Sequence, residues 1–206
     1  MYIPEHFAGS TEKEALDFVS QYGFGTIMSS GPSGLNATHL PFLVDQHKGK
    51  PCLLGHFARA NDHWSYISRH DTMIVFSGPH CYISPTWYAS PNVPTWNYMA
   101  AHVYGNVEIL DDHDFKHRIV LELSDYYERN LSDPWIPDYN ESMLDAIVGF
   151  RFNISRIEAK QKLSQNKSVA DRKGAIEALR KSGSDNESAI ADLMEQSLSS
   201  QESLSG

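Results

Sequence analysis

The chain has 206 residues, 41% hydrophobic and 21% charged, which fits one globular domain around a single core. Its formal net charge of −9 disfavours direct DNA binding, because a nucleic-acid surface needs basic groups to displace the counterions condensed on phosphates; only the lysines and arginines between 160 and 181 offer a local basic face. No run approaches the roughly 20 apolar residues of a membrane helix, and MYIPEHFAGS lacks the basic-then-apolar order of a secretory signal, so a cytoplasmic location without a membrane partner is expected.

Ser10 or Thr11 can cap a helix running to about Tyr22, with Ala15, Phe18 and Val19 on one face and Gly23 as the stop. Runs rich in β-formers follow, separated by turn residues: FGTIMSS, LNATHLPFLVD and PCLLGHFA, which read as an antiparallel meander. After Asn61 and Asp62, HWSYISRH suits a short helix; MIVFSGP with HCYISP forms the next strand, and TWNYMAAHVYGNVEIL a long one. Residues 112 to 130 carry Phe115, Ile119 and Leu123 at helical spacing, YNESMLDAIV is a second helix candidate, and GFRFNISRIEAK is the last strand. About six antiparallel strands with helices between and after them predict a mainly β, α+β fold, a closed or half-closed barrel with peripheral helices. Neither GxGxxG nor a P-loop is present. The stretch from Ser182 is rich in Ser, Asp, Glu and Gln and reads as a mobile tail or a small docking helix.

Three segments carry candidate chemistry. Between 82 and 98, Tyr82, Trp87, Tyr88, Trp96 and Tyr98 offer flat apolar faces and Ser84, Asn92, Thr95 and Asn97 offer hydrogen bonds, on a loop stiffened by Pro85, Pro91 and Pro94. Such a loop can grip a planar heteroaromatic ligand, or its rings can simply plug a core. In GHFARANDHW, Arg59 lies beside a helix start, a phosphate site if the guanidinium is available; the alternative is that Arg59 pairs with Asp62 or another acid. In KQKLSQNKSVADRKGAIEAL, Ser168 and Asp171 form a capping box and Gly183 ends the helix, with Lys162, Ser164, Gln165 and Asn166 just ahead of it, either an anion site or a solvated connector. His113 and His117 have i, i+4 spacing but no third ligand, so no metal is expected. His39, His56 and His102 fall in predicted strands, lining a pocket or sitting in the core, and Cys52 and Cys81 are too far apart to suggest a zinc site.

At ATHLPF (37 to 42), GHFARAN (55 to 61), YISPTWY (82 to 88), SPNVPTWNY (90 to 98), AIVGF (146 to 150) and KLSQN (162 to 166), with MYIPEHF at the start, the chain closely resembles the PaiB-type FMN-binding negative transcriptional regulators. The motifs run in order over roughly residues 1 to 180. The resemblance implies a six-stranded FMN-binding split β-barrel over 1–181, of the pyridoxamine-phosphate-oxidase type, with 182–206 outside it, and a homodimer that binds FMN. Carried over by motif position, it points to Thr38, Arg59 and Asn61 for the phosphate, with His39 and His56 nearby. Trp96 and Asn97 would face the ring, and Lys162 and Gln165 would complete the site. Ala159 stands where the family usually has Gly, and Lys167 where it often has Arg, which loosens the assignment of that last segment.

The function this implies is redox- or metabolite-responsive regulation. An acidic chain without a helix-turn-helix fits an indirect mode better than docking in a major groove. An FMN-dependent oxidoreductase on the same barrel is the alternative, and a haem-binding split barrel the third.

Overall fold

The β-rich runs pair into a seven-stranded sheet in a computed structural model that describes residues 1–8 and 11–204, with side chains to 200. Ser10, one of the two expected caps of the first helix, lies outside the described residues. In chain order the elements are α1 (Glu12–Gln21), β1 (Phe24–Gly31), β2 (Gly34–Pro41), β3 (Leu43–His47), β4 (Lys50–Ala58) and α2 (Trp64–Ile67). They continue with β5 (Thr72–Ile83), β6 (Thr95–Ile109), α3 (His113–Glu128), β7 (Ile147–Lys162), α4 (Val169–Ser182) and α5 (Asp185–Leu204). Contacts divide the chain into a first unit of Met1–Thr11, Ser77–Ala100 and Ala159–Gly206, and a second of Glu12–Phe76 and Ala101–Glu158.

The second unit contains β1 to β4 and the adjoining parts of β5, β6 and β7, in the hydrogen-bonded order β2-β1-β5-β6-β7-β4-β3. The order begins and ends on an edge strand, so the ladder is not closed, and it has seven strands where six were expected. The extra strand comes from LNATHLPFLVD, read as one run. Pro41 has no N–H for a ladder, and at this point the chain leaves its pairing with β1 and begins one with β4. Phe42, between the two strands, is 2% exposed, its ring edge-on to Phe76 at 5.4 Å and Phe150 at 6.0 Å. Burying an aromatic ring of this kind contributes about 1.5–3 kcal/mol, which holds the corner in place. Ile27, Leu53, Phe57, Ile74 and Phe152 complete this core, and α3 lays Ile119 and Leu123 on Cys52 and Leu54.

The second helix candidate, YNESMLDAIV, forms only a 3-10 turn over Glu141–Ala146, because Ile147 already begins β7. Asn140 caps that turn by accepting the Ser142 N–H.

The first unit gathers Cys81, Ile83, Tyr88 and Leu163 with Ala175, Ile176 and Leu179 of α4 and Ile190, Ala191, Met194 and Leu198 of α5. α4 begins as expected, with the Ser168 hydroxyl accepting the Asp171 N–H, and ends at Gly183, whose φ of 77° only glycine adopts at little cost. The next residues open α5: Ser184 Oγ accepts the Glu187 N–H and donates to the Glu187 carboxylate. That cap starts a 20-residue helix with four buried side chains in this core, so of the two readings, mobile tail or small docking helix, the stretch takes the helical one and is longer than expected.

Candidate functional site

In the second unit, β2 and the turn after β4 converge on one buried imidazole. His63 is fully buried, with its ring centroid 5.5 Å from Phe57 and 5.6 Å from Tyr66. Its Nε2 lies 2.9 Å from Ser29 Oγ and its Nδ1 2.9 Å from Thr38 Oγ1. Asn61 ties the group together: its Oδ1 accepts the His63 backbone N–H at 3.1 Å, which orients the amide, and its Nδ2 donates to Thr38 Oγ1 at 3.1 Å. Thr38 and Asn61 are half-buried, so a hydroxyl and an amide stand at the rim of a dry, ordered network. Burial alone pushes the His63 pKa below its ordinary value.

Arg59, at the end of β4, is partly committed. Its Nη2 donates to Asp111 Oδ1 at 2.7 Å and to the Ile147 carbonyl at 2.9 Å, and its Nε donates to the Asp145 carbonyl at 2.6 Å. The pairing with an acid is therefore present, although the acid is Asp111 and not Asp62. The hydrogen bond with Arg59, ahead of the one with Lys116, holds the Asp111 carboxyl below the usual range. Nη1 keeps its donors without an acceptor among the described residues. The adjoining helix α2 has four residues, too few for the dipole contribution expected of a helix start. His56 is half-buried, its pKa lowered by burial and its buried Nδ1 without a hydrogen-bond partner among the described residues. His39 is exposed on β2, its ring 6.3 Å from that of Phe24. Thr38 and Asn61 are thus hydrogen-bonded to each other, and Arg59, two residues before Asn61, turns its guanidinium to Asp111, Asp145 and Ile147.

The first unit treats its expected residues differently. Trp96 is 54% exposed and meets Tyr82 edge-to-face at 6.1 Å, beside a shallow hollow of about 320 Å³ lined by Ser77, Gly78, His80, Tyr98 and Met99. Asn97, by contrast, is fully buried, accepting from Ser164 Oγ at 3.1 Å and directed through Nδ2 at the Met194 sulfur at 3.3 Å. Gln165 closes its own turn, accepting the Leu163 N–H and donating to the Gln161 carbonyl, both at 2.7 Å. Lys162 donates to Thr95 Oγ1 and the Trp96 carbonyl; burial first, then the charges of Lys160 and Lys167, lowers its pKa. The Ser90 N–H and hydroxyl donate to Asp171, and Tyr88 is buried, so part of the proline loop is a core plug while Tyr82 and Trp96 remain on the surface.

Sequence reasoning missed Ser29 and His63. Ser29 lies in a strand with no motif around it, and His63 read as the first residue of a short helix. Their partners are 34 and 25 residues apart in sequence, so no local signal announces them.

The model of the family described as "Putative FMN-binding domain" matches residues 1–156. The chain is 36% identical over 207 residues to the "Protease synthase and sporulation protein PAI 2" of Bacillus subtilis (strain 168), an alignment covering 98% of this chain and 100% of that protein. The solved FAD and heme binding protein from Mycobacterium smegmatis superposes with a TM-score of 0.60 at 12% identity, covering 81% of this chain and 78% of that one. The flavocytochrome Anf3 from Azotobacter vinelandii does so with 0.58 at 13% identity, covering 74% and 68%. At such identities the likeness is one of fold, and it is to split-barrel proteins.

Proposed function

Because the chain belongs to the family described as "Putative FMN-binding domain", we propose that it is an FMN-binding regulator that senses a redox state or a metabolite, with the FMN phosphate held by Thr38, Asn61 and Arg59. FMN is the cofactor that membership assigns. The observation that carries the phosphate assignment is the Thr38–Asn61 pair at the rim of the buried His63 network, where a preset hydroxyl and amide lose little entropy on taking up a ligand. Arg59 Nη1 adds a charge-assisted donor. In the first unit, Trp96 and Tyr82 meet edge-to-face and stay on the surface. Asn97 and Gln165 serve that unit's own folding.

Bound flavin supplies hydride or electron exchange, which is the chemistry a redox sensor needs. The regulatory part of the reading rests on the resemblance to the PaiB-type regulators and on the relative's name, which speaks of protease synthase and sporulation. The net charge of −9 favours action through a metabolite or a protein over direct DNA contact. We also propose a homodimer, since exposed tryptophan and tyrosine are typical of surfaces that a second copy covers.

The decisive experiment is an absorbance spectrum of the purified protein before and after adding FMN and desalting. Flavin bands that survive desalting are expected. A colourless protein would overturn the FMN reading, and steady NAD(P)H turnover by the FMN-loaded protein would replace regulation by oxidoreductase activity. A monomeric mass by light scattering would remove the dimer.

A further inference from the structure

His63 has two neutral forms, and the network around it does not treat them alike. With the proton on Nε2, the ring donates to Ser29 Oγ, which passes its own hydroxyl hydrogen to the Ser30 carbonyl at 3.1 Å. Nδ1 is then an acceptor, and the Thr38 hydroxyl donates to it while accepting from Asn61 Nδ2. Every donor and acceptor in the chain is satisfied. With the proton on Nδ1 the polarity reverses. Thr38 Oγ1 accepts from both His63 and Asn61, filling its two lone pairs, and its hydroxyl hydrogen must point away from both. The Ser29 hydroxyl then turns from the Ser30 carbonyl to His63 Nε2.

From this geometry we propose that His63 is a positioning residue that sets the donor or acceptor state of Thr38, and so selects a ligand carrying an anionic phosphate. In the Nε2–H form Thr38 has no hydrogen to give a ligand. In the Nδ1–H form it offers one, fixed in direction by two hydrogen bonds behind it, and an oxyanion is the ligand that rewards that state. Ring protons exchange with water and the count is the same in both forms: one on the imidazole, one on each hydroxyl. No net protonation is required, which suits a ring that is fully buried between Phe57 and Tyr66. A ligand without a phosphate leaves the ring in the Nε2–H form. The proposal rests on Thr38 contacting the phosphate, as in the function proposed above.

The test is ring-nitrogen NMR of the full chain labelled with 15N-histidine, in which a protonated and a bare ring nitrogen resonate far apart. The ligand-free protein is expected to show His63 protonated on Nε2, FMN to move the proton to Nδ1, and riboflavin, which lacks the phosphate, to leave it in place. Thr38→Val should weaken FMN about tenfold and riboflavin hardly at all, with Thr38→Ser restoring the difference. If Thr38→Val leaves FMN affinity unchanged, the phosphate assignment itself is wrong and this inference goes with it. If Thr38→Val weakens FMN as expected but the ring is already Nδ1–H without ligand, or stays Nε2–H with FMN bound, the assignment stands and the switch is overturned.

Discussion

Two segments that look alike as sequence, GHFARAND at 55–62 and KLSQNKS at 162–168, separate sharply in the fold. Both set cations and an amide just before a helix, and both suggest an anion site. In the first, long-range partners gather Asn61 and Thr38 around His63, half-buried at the rim of that network, and draw Arg59 to Asp111 with Nη1 left over. In the second, the polar groups are already engaged: Gln165 with its own turn, Ser168 with the start of α4, Ser164 with the buried Asn97. An anion-friendly composition offers a candidate site only where donors are left over after the fold has formed.

Removing His63, which directly follows the first segment and anchors its Asn61, should have the largest effect. His63→Ala leaves Ser29 and Thr38 without their shared partner and opens a cavity, costing about 3 kcal/mol in a denaturant titration. A cost under roughly 1 kcal/mol would mean that the network is not structural. Next, Arg59→Ala should weaken FMN by about tenfold to a hundredfold while leaving riboflavin nearly unchanged, since the loss is a charge-assisted contact to phosphate. Equal loss for both flavins would move Arg59 out of the phosphate group. In the second segment, Ser168→Ala should cost about 1 kcal/mol of stability through loss of a helix cap, with no change in FMN affinity. A clear drop in affinity there would erase the distinction between the segments.

Acidity sharpens the contrast most gently. Burial lowers the pKa of His56 and His63 from the ordinary 6.5, so the unfolded chain binds more protons than the fold once pH drops below that value. The stability tied to these neutral rings is complete above about pH 6.5 and declines as pH falls towards their folded values. Asp171 behaves differently, since hydrogen bonding, first from Ser168 and then from Ser90, lowers its pKa from 3.8. Its contribution persists until pH falls below that ordinary value. Melting temperatures between about pH 8 and pH 5 should therefore fall in the wild type and flatten in part in His63→Gln, with Ser90→Ala keeping the wild-type slope. A slope unaffected by His63→Gln would place the titration elsewhere.

Much of the fold was legible in local pattern. The amphipathic face of α1, the Phe115–Ile119–Leu123 stripe of α3, the Ser168 cap and the Gly183 stop all depend on residues within a turn or two of one another. The strand runs were equally plain, except where LNATHLPFLVD divides, because only the partner strands decide that Pro41 ends one pairing and Leu43 begins another. The final helix carried its signal in Ser184 and Glu187, obscured by a polar composition that suggests disorder until Ile190, Met194 and Leu198 find a core.

The sequence by itself determined the mainly antiparallel class, the bounds of α1, α3 and α4 to within about two residues, the family and hence FMN, because these follow from short-range propensity or from ordered motifs. Tertiary structure alone decided which of the candidate residues remain available. Asn97 became a buried acceptor, Arg59 was drawn to Asp111, and Thr38 was joined to Ser29 through a histidine that no motif singled out. Hydrogen bonds between residues 25 and 34 positions apart form only after the strands carrying them are paired, so their geometry leaves no periodicity or spacing to read beforehand.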